Sequence, residues 1–534
     1  TGGNTAGDVI AMVGAEAITL FGSGGDDTLT GAEGSDTLDG GEGDDILFGL
    51  AGDDIIQGGE GSDTIDGGSG DDLIDGGYGS DAISGGFGND NLIGFFGDDI
   101  VTGGEGQDIL QGNEGADQLD GGAGDDILHP GMGDDTLLGG EGSDIAVFYG
   151  NQADFTFKIA VDGQLTVTDL HTSTEFGIGA YGSNIVSGVE ILQFNDGDLI
   201  VETSENGDVT LIGGASDDKI TVVGTEPVTV KGMAGSDTLI GGEGSDTFIG
   251  GPGDDHIDGG AGYNRLIYSD ATDAISVDLS LSKKTVITNE GTDTVENISR
   301  IDGSEFADNY IGSDGDDTFI GRDGNDVISS GDGNDTIWSG YGDDQIHLGS
   351  GNDYAYSGAG NDTIFAGEGA DTVFGDEGDD VIDGGVGNDF LSGGVQGSWS
   401  NVSGVWQFMP GVYSHLEDGN DSLEGGLGDD TFVAWFGDDQ IRVGGNAVQD
   451  YIEADEIWNT AVLKELADKA SYDADIAVTN ASRASWDTAE LIESEKQSIY
   501  QFALSQFNLA TSEYDAAVSA NAVAQSALSM ALSN

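Results

Sequence analysis

The chain of 534 residues contains no cysteine, so neither a disulfide framework nor a thiolate metal site is open to it. Basic residues are scarce as well. Thirteen Lys and Arg stand against 102 Asp and Glu, a formal net charge of −89, and none precedes Lys158. That sign excludes nucleic acid as a partner, because phosphate binding draws on Lys and Arg. No run approaches eighteen apolar residues, so no transmembrane segment is expected. No cleavable secretory leader is visible either. Val9–Phe21 is apolar in patches, lacks a basic start and contains Glu16, and it reads as a capping strand. Catalytic motifs are missing too. The five histidines, His129, His171, His256, His347 and His415, are scattered and form no H-E-x-x-H, and no G-x-S-x-G occurs. No enzyme activity is expected of these residues.

A polyanion of this composition would ordinarily be disordered. A repeat overrides that reading. From Gly22 to Val147 a nine-residue unit recurs fourteen times without a gap, as in Gly22-Ser-Gly-Gly-Asp-Asp-Thr-Leu-Thr and Gly31-Ala-Glu-Gly-Ser-Asp-Thr-Leu-Asp. The pattern is G-G-x-G-x-D-x-U-x, with U apolar. The glycines permit tight turns with positive φ, and the Asp at position six supplies a hard oxygen ligand. The x-U-x stretch is expected to be a three-residue strand with one side chain, such as Leu29, Leu38 or Leu47, pointing inward. Two units then make one eighteen-residue coil of a parallel β-helix. Asp residues eighteen apart, such as Asp27 and Asp45, stack on one flank with turn carbonyls between them, a ladder of calcium sites.

The expected ligands of the first block are Asp27, Asp36, Asp45, Asp54, Asp63, Asp72, Asp81, Asp90, Asp99, Asp108, Asp117, Asp126, Asp135 and Asp144. A second block opens at Gly213 with Asp218. It passes a degenerate unit at Val222–Val230 and resumes with Asp237, Asp246 and Asp255; its last unit carries Asn264 where Asp is expected, which weakens or removes that site. The third block supplies Asp308, Asp317, Asp326, Asp335, Asp344, Asp353, Asp362, Asp371, Asp380 and Asp389, then Asp421, Asp430 and Asp439 after an insertion. The first block holds 31 acidic residues and no cation. About twelve Ca²⁺ between its coils would bring −31 to about −7, so metal binding and folding are expected to be one process.

The repeat resembles the RTX (repeat-in-toxin, haemolysin-type calcium-binding) family, whose nonapeptide signature it follows. The resemblance implies calcium at the position-six Asp residues, roughly two dozen ions in all. It also implies export by type I secretion machinery, with a C-terminal signal. The expected fold is mainly β: parallel β-roll blocks with β-rich connectors and a C-terminal α-helical segment. The boundaries are 1–147 for the N-terminal cap and first roll, 148–212 for a β connector, 213–267 for the short second block and 268–302 for a second connector. The third roll occupies 303–445, with an aromatic insertion at 395–415, and the tail 446–534.

Phe148–Ile212 alternates apolar and polar residues, as antiparallel hairpins do. Both connectors are expected to cover the open ends of rolls, or else to bind something in their own right. The tail has no Gly or Pro and nineteen Ala, a helical composition. It suits an intramolecular hairpin, an intermolecular bundle or an export signal. At the turn tips lie Tyr78, Phe87 and Phe96, with Phe95 beside the last, an apolar cluster that suggests contact with another segment or subunit. The insertion brings Trp399, Trp406, Phe408 and Tyr413, either folded back on the roll or binding sugar or a partner. The expectation is a secreted calcium-binding structural protein of a bacterial cell surface or matrix, surface-layer-like or adhesive, which self-assembles through the tail or the aromatic tips. The alternative is the secretion and folding module of a larger toxin or hydrolase.

Overall fold

The computed structural model describes residues 7–161, 163–171, 182–204 and 206–394. Beyond them it describes the strands Gly397–Val402, Val405–Pro410, Ser422–Glu424, Thr431–Ala434, Gln440–Arg442 and Tyr451–Ala454. The chain divides after Glu453. Tyr451–Ala454, within the expected helical tail, is a strand; the rest of that tail, Asp421, Asp430 and Asp439, His415 and the side chains of the aromatic insertion lie outside the described residues.

Successive nonapeptides alternate between two long parallel ladders, so each strand pairs with the strand eighteen residues away. Thr37 pairs with Ile55 and Leu38 with Ile56; on the opposite ladder Ile46 pairs with Thr64 and Leu47 with Ile65. Among the described residues the apolar residue of each unit points between the ladders. Leu29, Leu47, Ile74, Leu92, Leu110 and Leu128 have no exposed surface. Each eighteen-residue coil therefore contributes two core side chains, too few to offset the ordering of that much backbone. The turns must supply the rest.

The strands are longer than the x-U-x stretch suggested. Most span six residues, such as Thr37–Glu42 and Ile109–Glu114. The pairing skips the first glycine and resumes through the turn, so that Gly41 faces Gly59 and Glu42 faces Glu60. Positive φ at position two makes this possible. Gly59 has φ +123°, and a Cβ there would lie 2.1 Å from the carbonyl oxygen of Gly41. The turn backbone is itself stacked, with Gly43 N–H donating to Glu60 O at 2.7 Å.

The connectors do form antiparallel hairpins. Phe155–Ile159 pairs with Leu165–Asp169, which pairs with Ser183–Ser187, and Ile191–Gln193 pairs with Asp198–Thr203. They do not close off separate rolls. Ser183–Ser187 also runs parallel to Thr136–Glu141, and Ile191–Gln193 to Ile145–Val147. Val209–Ile212 then passes the ladder to Thr229–Lys231. At the second connector, Thr292–Glu296 lies parallel to His256–Asp258 and Arg300–Asp302 to Arg265–Ile267. The result is a continuous solenoid with hairpins inserted into it, in place of three capped rods. At its start Val9–Ala11 pairs in parallel with Thr28–Thr30, as a capping strand should. Within the insertion, Gly397–Val402 and Val405–Pro410 form an antiparallel hairpin.

Position two is not always glycine. Leu50 holds φ +81° with its side chain about half exposed, a conformation that costs an L-residue of order 1 kcal/mol or more. Leu50→Gly is expected to stabilise the calcium-loaded fold by about 1 kcal/mol. The check is the guanidinium midpoint in saturating calcium, which should rise; a fall would mean that the side chain's contacts outweigh the strain.

Candidate metal centre

The position-six Asp follows the turn and opens the next strand, and the fold buries it. Every such residue from Asp27 to Asp144 is at most 2% exposed. From Asp45 on, Oδ1 of each accepts the backbone N–H of the Asp eighteen residues earlier; at the start of the ladder Asp27 Oδ1 accepts Asp8 N–H and Asp36 Oδ1 accepts Ile18 N–H. Asp54 N–H donates to Asp72 Oδ1 at 2.7 Å, and Asp72 N–H to Asp90 Oδ1 at 2.8 Å. One flank thus links Asp27, Asp45, Asp63 and Asp81 in series, the other Asp36, Asp54, Asp72 and Asp90. Position five runs an opposite ladder on the outside, where Ser62 N–H donates back to Asp44 Oδ1 at 2.8 Å.

The second carboxylate oxygen is the informative atom. Oδ2 of Asp27, of Asp45 and each position-six Asp from there to Asp144, of Asp237 and Asp255, and of Asp326, Asp353 and Asp371 is buried without a hydrogen-bond donor. In these units position two has positive φ, as at Ser23, Gly41, Gly68, Met233, Gly251 and Arg322. In a second class of turn position two has ordinary φ, and its N–H closes onto Oδ2. Ala32 donates to Asp36 at 2.6 Å, Gly214 to Asp218 at 2.5 Å and Gly242 to Asp246 at 2.9 Å. Positive φ therefore turns the only nearby donor away.

What faces the orphaned oxygen is another acceptor. A Cβ built on Gly40 would lie 2.3 Å from Asp45 Oδ2 and 2.6 Å from Gly58 O of the next coil; on Gly22 it would lie 2.4 Å from both Asp27 Oδ2 and Gly40 O. Carboxylate and carbonyl oxygens from adjacent coils thus converge where no side chain fits. Two acceptors in a dry space call for a cation between them, and an all-oxygen donor set suits calcium. Among the described residues no three His, Asp or Glu side chains converge on one point, so backbone carbonyls must complete each site. Asp335, Asp344 and Asp362 stand apart. Their position-one residues, Ser330, Ser339 and Ser357, each send a hydroxyl to a carbonyl of the next coil, at 2.7, 2.9 and 2.8 Å.

Burial holds these carboxyl groups toward the protonated form. Desolvation is the largest cause, the N–H on Oδ1 opposes it, and neighbouring carboxylates add to it. Asp54 and Asp63 are raised from 3.8 to about 6, Asp72, Asp81, Asp108 and Asp117 to about 7, and Asp326 to about 8.

Several participants escaped the sequence reading because they sit outside the repeat. Asn184 Oδ1 and Glu190 Oε2 continue the two ladders past Asp135 and Asp144, each accepting a backbone N–H, at 2.9 and 2.8 Å. Gln152, 1% exposed, donates to Asp218 Oδ1 at 3.0 Å and accepts from Lys219 N–H at 3.0 Å. Asp293 accepts the N–H of Asp255 at 3.0 Å from within the second connector. Their only signal was an isolated polar residue beside an apolar strand. At the turn tips, Tyr78 and Phe96 stack 4.9 Å apart with Phe95 edge-on to both, while Phe87 belongs to the opposite ladder.

The sequence profile of the RTX calcium-binding nonapeptide repeat matches residues 19–47, 39–74, 48–82, 75–110, 111–146, 231–266, 302–337, 323–355, 338–373, 356–391 and 416–447, more than half of the chain. No curated protein matches it. Among solved structures the chain is similar to extracellular lipase LipA from Serratia marcescens, at 20% identity over 40% of this chain and 38% of the lipase. The TM-score is 0.11, too low to carry an argument.

The raised carboxyl groups fix the sign of a pH dependence. In the absence of divalent metal, a folded pKa of about 6 to 8 against 3.8 unfolded adds stability that is full below pH 3.8 and lost as pH rises through 6 to 8. Metal-free β content by circular dichroism is therefore expected to be greater at pH 4.5 than at pH 8. Calcium affinity should run the other way, since the ion takes the ionised form. Metal-free β content that grows with pH would contradict the burial of these groups.

Proposed function

Because the chain belongs to the family of RTX calcium-binding nonapeptide repeats, we propose that it is a secreted protein whose solenoid folds on extracellular calcium and serves as a structural component of a bacterial cell surface or matrix. One observation supports this most: files of buried, donorless carboxylate oxygens run along both flanks, facing carbonyls. Such files repel until cations enter. At millimolar calcium, oxygen sites of moderate affinity fill, and the chain closes coil by coil; at cytosolic levels it stays open and fit for export. Roughly two dozen ions are assigned to the position-six Asp residues, including Asp421, Asp430 and Asp439.

The role assigned is mechanical, with no catalytic step. A solenoid repeats nearest-neighbour contacts and gives a stiff element whose length scales with coil number. Among the described residues no helix is long and apolar enough to cross a membrane. For self-assembly the reading puts forward the Tyr78–Phe95–Phe96 cluster, where Tyr78 is 56% and Phe95 41% exposed, together with the tail. Calcium neutralises the field that would otherwise keep copies apart.

Two outcomes check the proposal. Excess chelator is expected to abolish most of the far-ultraviolet β signal cooperatively, and millimolar calcium to restore it; an unchanged spectrum defeats the metal-obligate fold. In calcium, electron microscopy and light scattering should show oligomers or filaments, weakened by replacing Tyr78, Phe95 and Phe96 with Ser. A parent that remains monomeric at high concentration defeats the structural role and leaves the folding module of a larger secreted protein as the reading.

A further inference from the structure

The two classes of turn are not scattered at random. From Asp246 to Asp317 nearly every rung carries a protein donor on its second oxygen, whereas on either side donors are confined to Asp36, Asp218 and the serine-bearing rungs at Asp335, Asp344 and Asp362. Asp246 Oδ2 takes the N–H of Gly242. Asn264 keeps the ladder through Oδ1, which accepts Asp246 N–H at 3.0 Å, and its Nδ2 donates to Asn297 O at 3.0 Å. That amide stands in the space where Asp45 Oδ2 faces Gly58 O: a Cβ on Gly259 would lie 2.5 Å from Asn264 Nδ2 and 2.4 Å from Asn297 O. Asp293 Oδ2 receives the hydroxyl of the buried Tyr268 at 2.7 Å. Asp308 Oδ2 receives Ser304 N–H at 2.8 Å and Tyr310 Oη–H at 3.3 Å, and Asp317 Oδ2 receives Ser313 N–H at 2.6 Å and its hydroxyl at 3.0 Å. Asp255 is the one exception in this stretch.

Charge and core follow the same division. Three of the thirteen basic residues converge here on the buried Asp302: Arg300 in a two-pronged contact at 2.6 and 3.0 Å, Arg265 at hydrogen-bond distance, and Arg322 at 3.7 Å. No Lys or Arg occurs in the first array, or between Arg322 and Arg442. The core also thickens, with Phe248, Tyr310 and Phe319 in place of the usual Leu or Ile, Tyr268 buried in addition to Leu266, and the rings of Tyr310 and Phe319 4.9 Å apart. Aromatic side chains bury more apolar area per coil.

We infer that the calcium ladder is interrupted, and that the segment between Asp255 and Asp326 is a metal-independent hub. Amide, hydroxyl and guanidinium donors do there what cations do in the flanking arrays. The hub gives each array a preformed end on which to add coils, which removes the costly first coil from calcium-driven folding. This rests on the calcium-dependent reading of the arrays.

Hydrogen exchange read by mass spectrometry on the full chain tests it, in excess chelator and in millimolar calcium. In chelator, amides in Arg265–Ile267, Thr292–Glu296, Arg300–Asp302 and Asn309–Ile311 are expected to exchange at least roughly tenfold more slowly than those of 37–114. In calcium both regions should be protected. Loss of protection in hub and arrays alike in chelator overturns the hub and leaves the calcium reading standing. Protection of both in chelator overturns both. Asn264→Asp and Tyr268→Phe each restore an oxygen without a donor, so hub protection should become calcium-dependent in these variants. Hub protection that chelator does not reduce, or that calcium does not restore, would overturn the exchange of donor for cation.

Discussion

The structure depends on two oxygens that face each other across adjacent coils, a buried Asp carboxylate and a turn carbonyl, with no donor from the protein between them. Hydrogen bonds along the ladder satisfy Oδ1 and leave Oδ2 with nothing to bind. An isolated arrangement of this kind would cost several kcal/mol and would not persist. Repeated along two flanks, it defines what must be added from outside. The thin core cannot compensate, because each coil brings only two apolar side chains.

Acidic composition follows from this constraint. Every added coil adds two position-six carboxylates and needs two more positive ions. Basic side chains inside the arrays would compete with those ions for the same oxygens, and no Lys or Arg occurs in the first array or between Arg322 and Arg442. Where Arg265, Arg300 and Arg322 gather on Asp302, the turn chemistry of the neighbouring rungs changes as well. Backbone conformation at position two is the local switch. Positive φ directs its N–H away from Oδ2, and ordinary φ directs it back. One dihedral thus decides whether the position-two N–H reaches Oδ2.

Much of this was legible in the sequence because the repeat is strict. The inward Leu and Ile residues, the eighteen-residue coil and the stacking of Asp54, Asp72 and Asp90 all follow from spacing. The six-residue strands were not legible, since nothing in G-G-x-G announces that the turn backbone itself pairs with the next coil. Nor was the continuity of the solenoid: Ser183–Ser187 and Ile191–Gln193 look like ordinary hairpin strands until their parallel partners are known. Asn184, Glu190, Gln152 and Asp293 take ladder positions through tertiary placement that no local pattern encodes. Asn264 could be recognised as a departure, but its donation to Asn297 depended on where the second connector returns.

The most direct test of the central claim is anomalous diffraction from crystals grown in calcium, at a wavelength where calcium scatters strongly. The account predicts two files of peaks, one on each flank, beside the carboxylates from Asp45 to Asp144, continuing at Asp237 and Asp255 and resuming at Asp326. An ordered solenoid with no peaks beside those residues would show that something other than a cation holds the facing oxygens together, and would contradict the account.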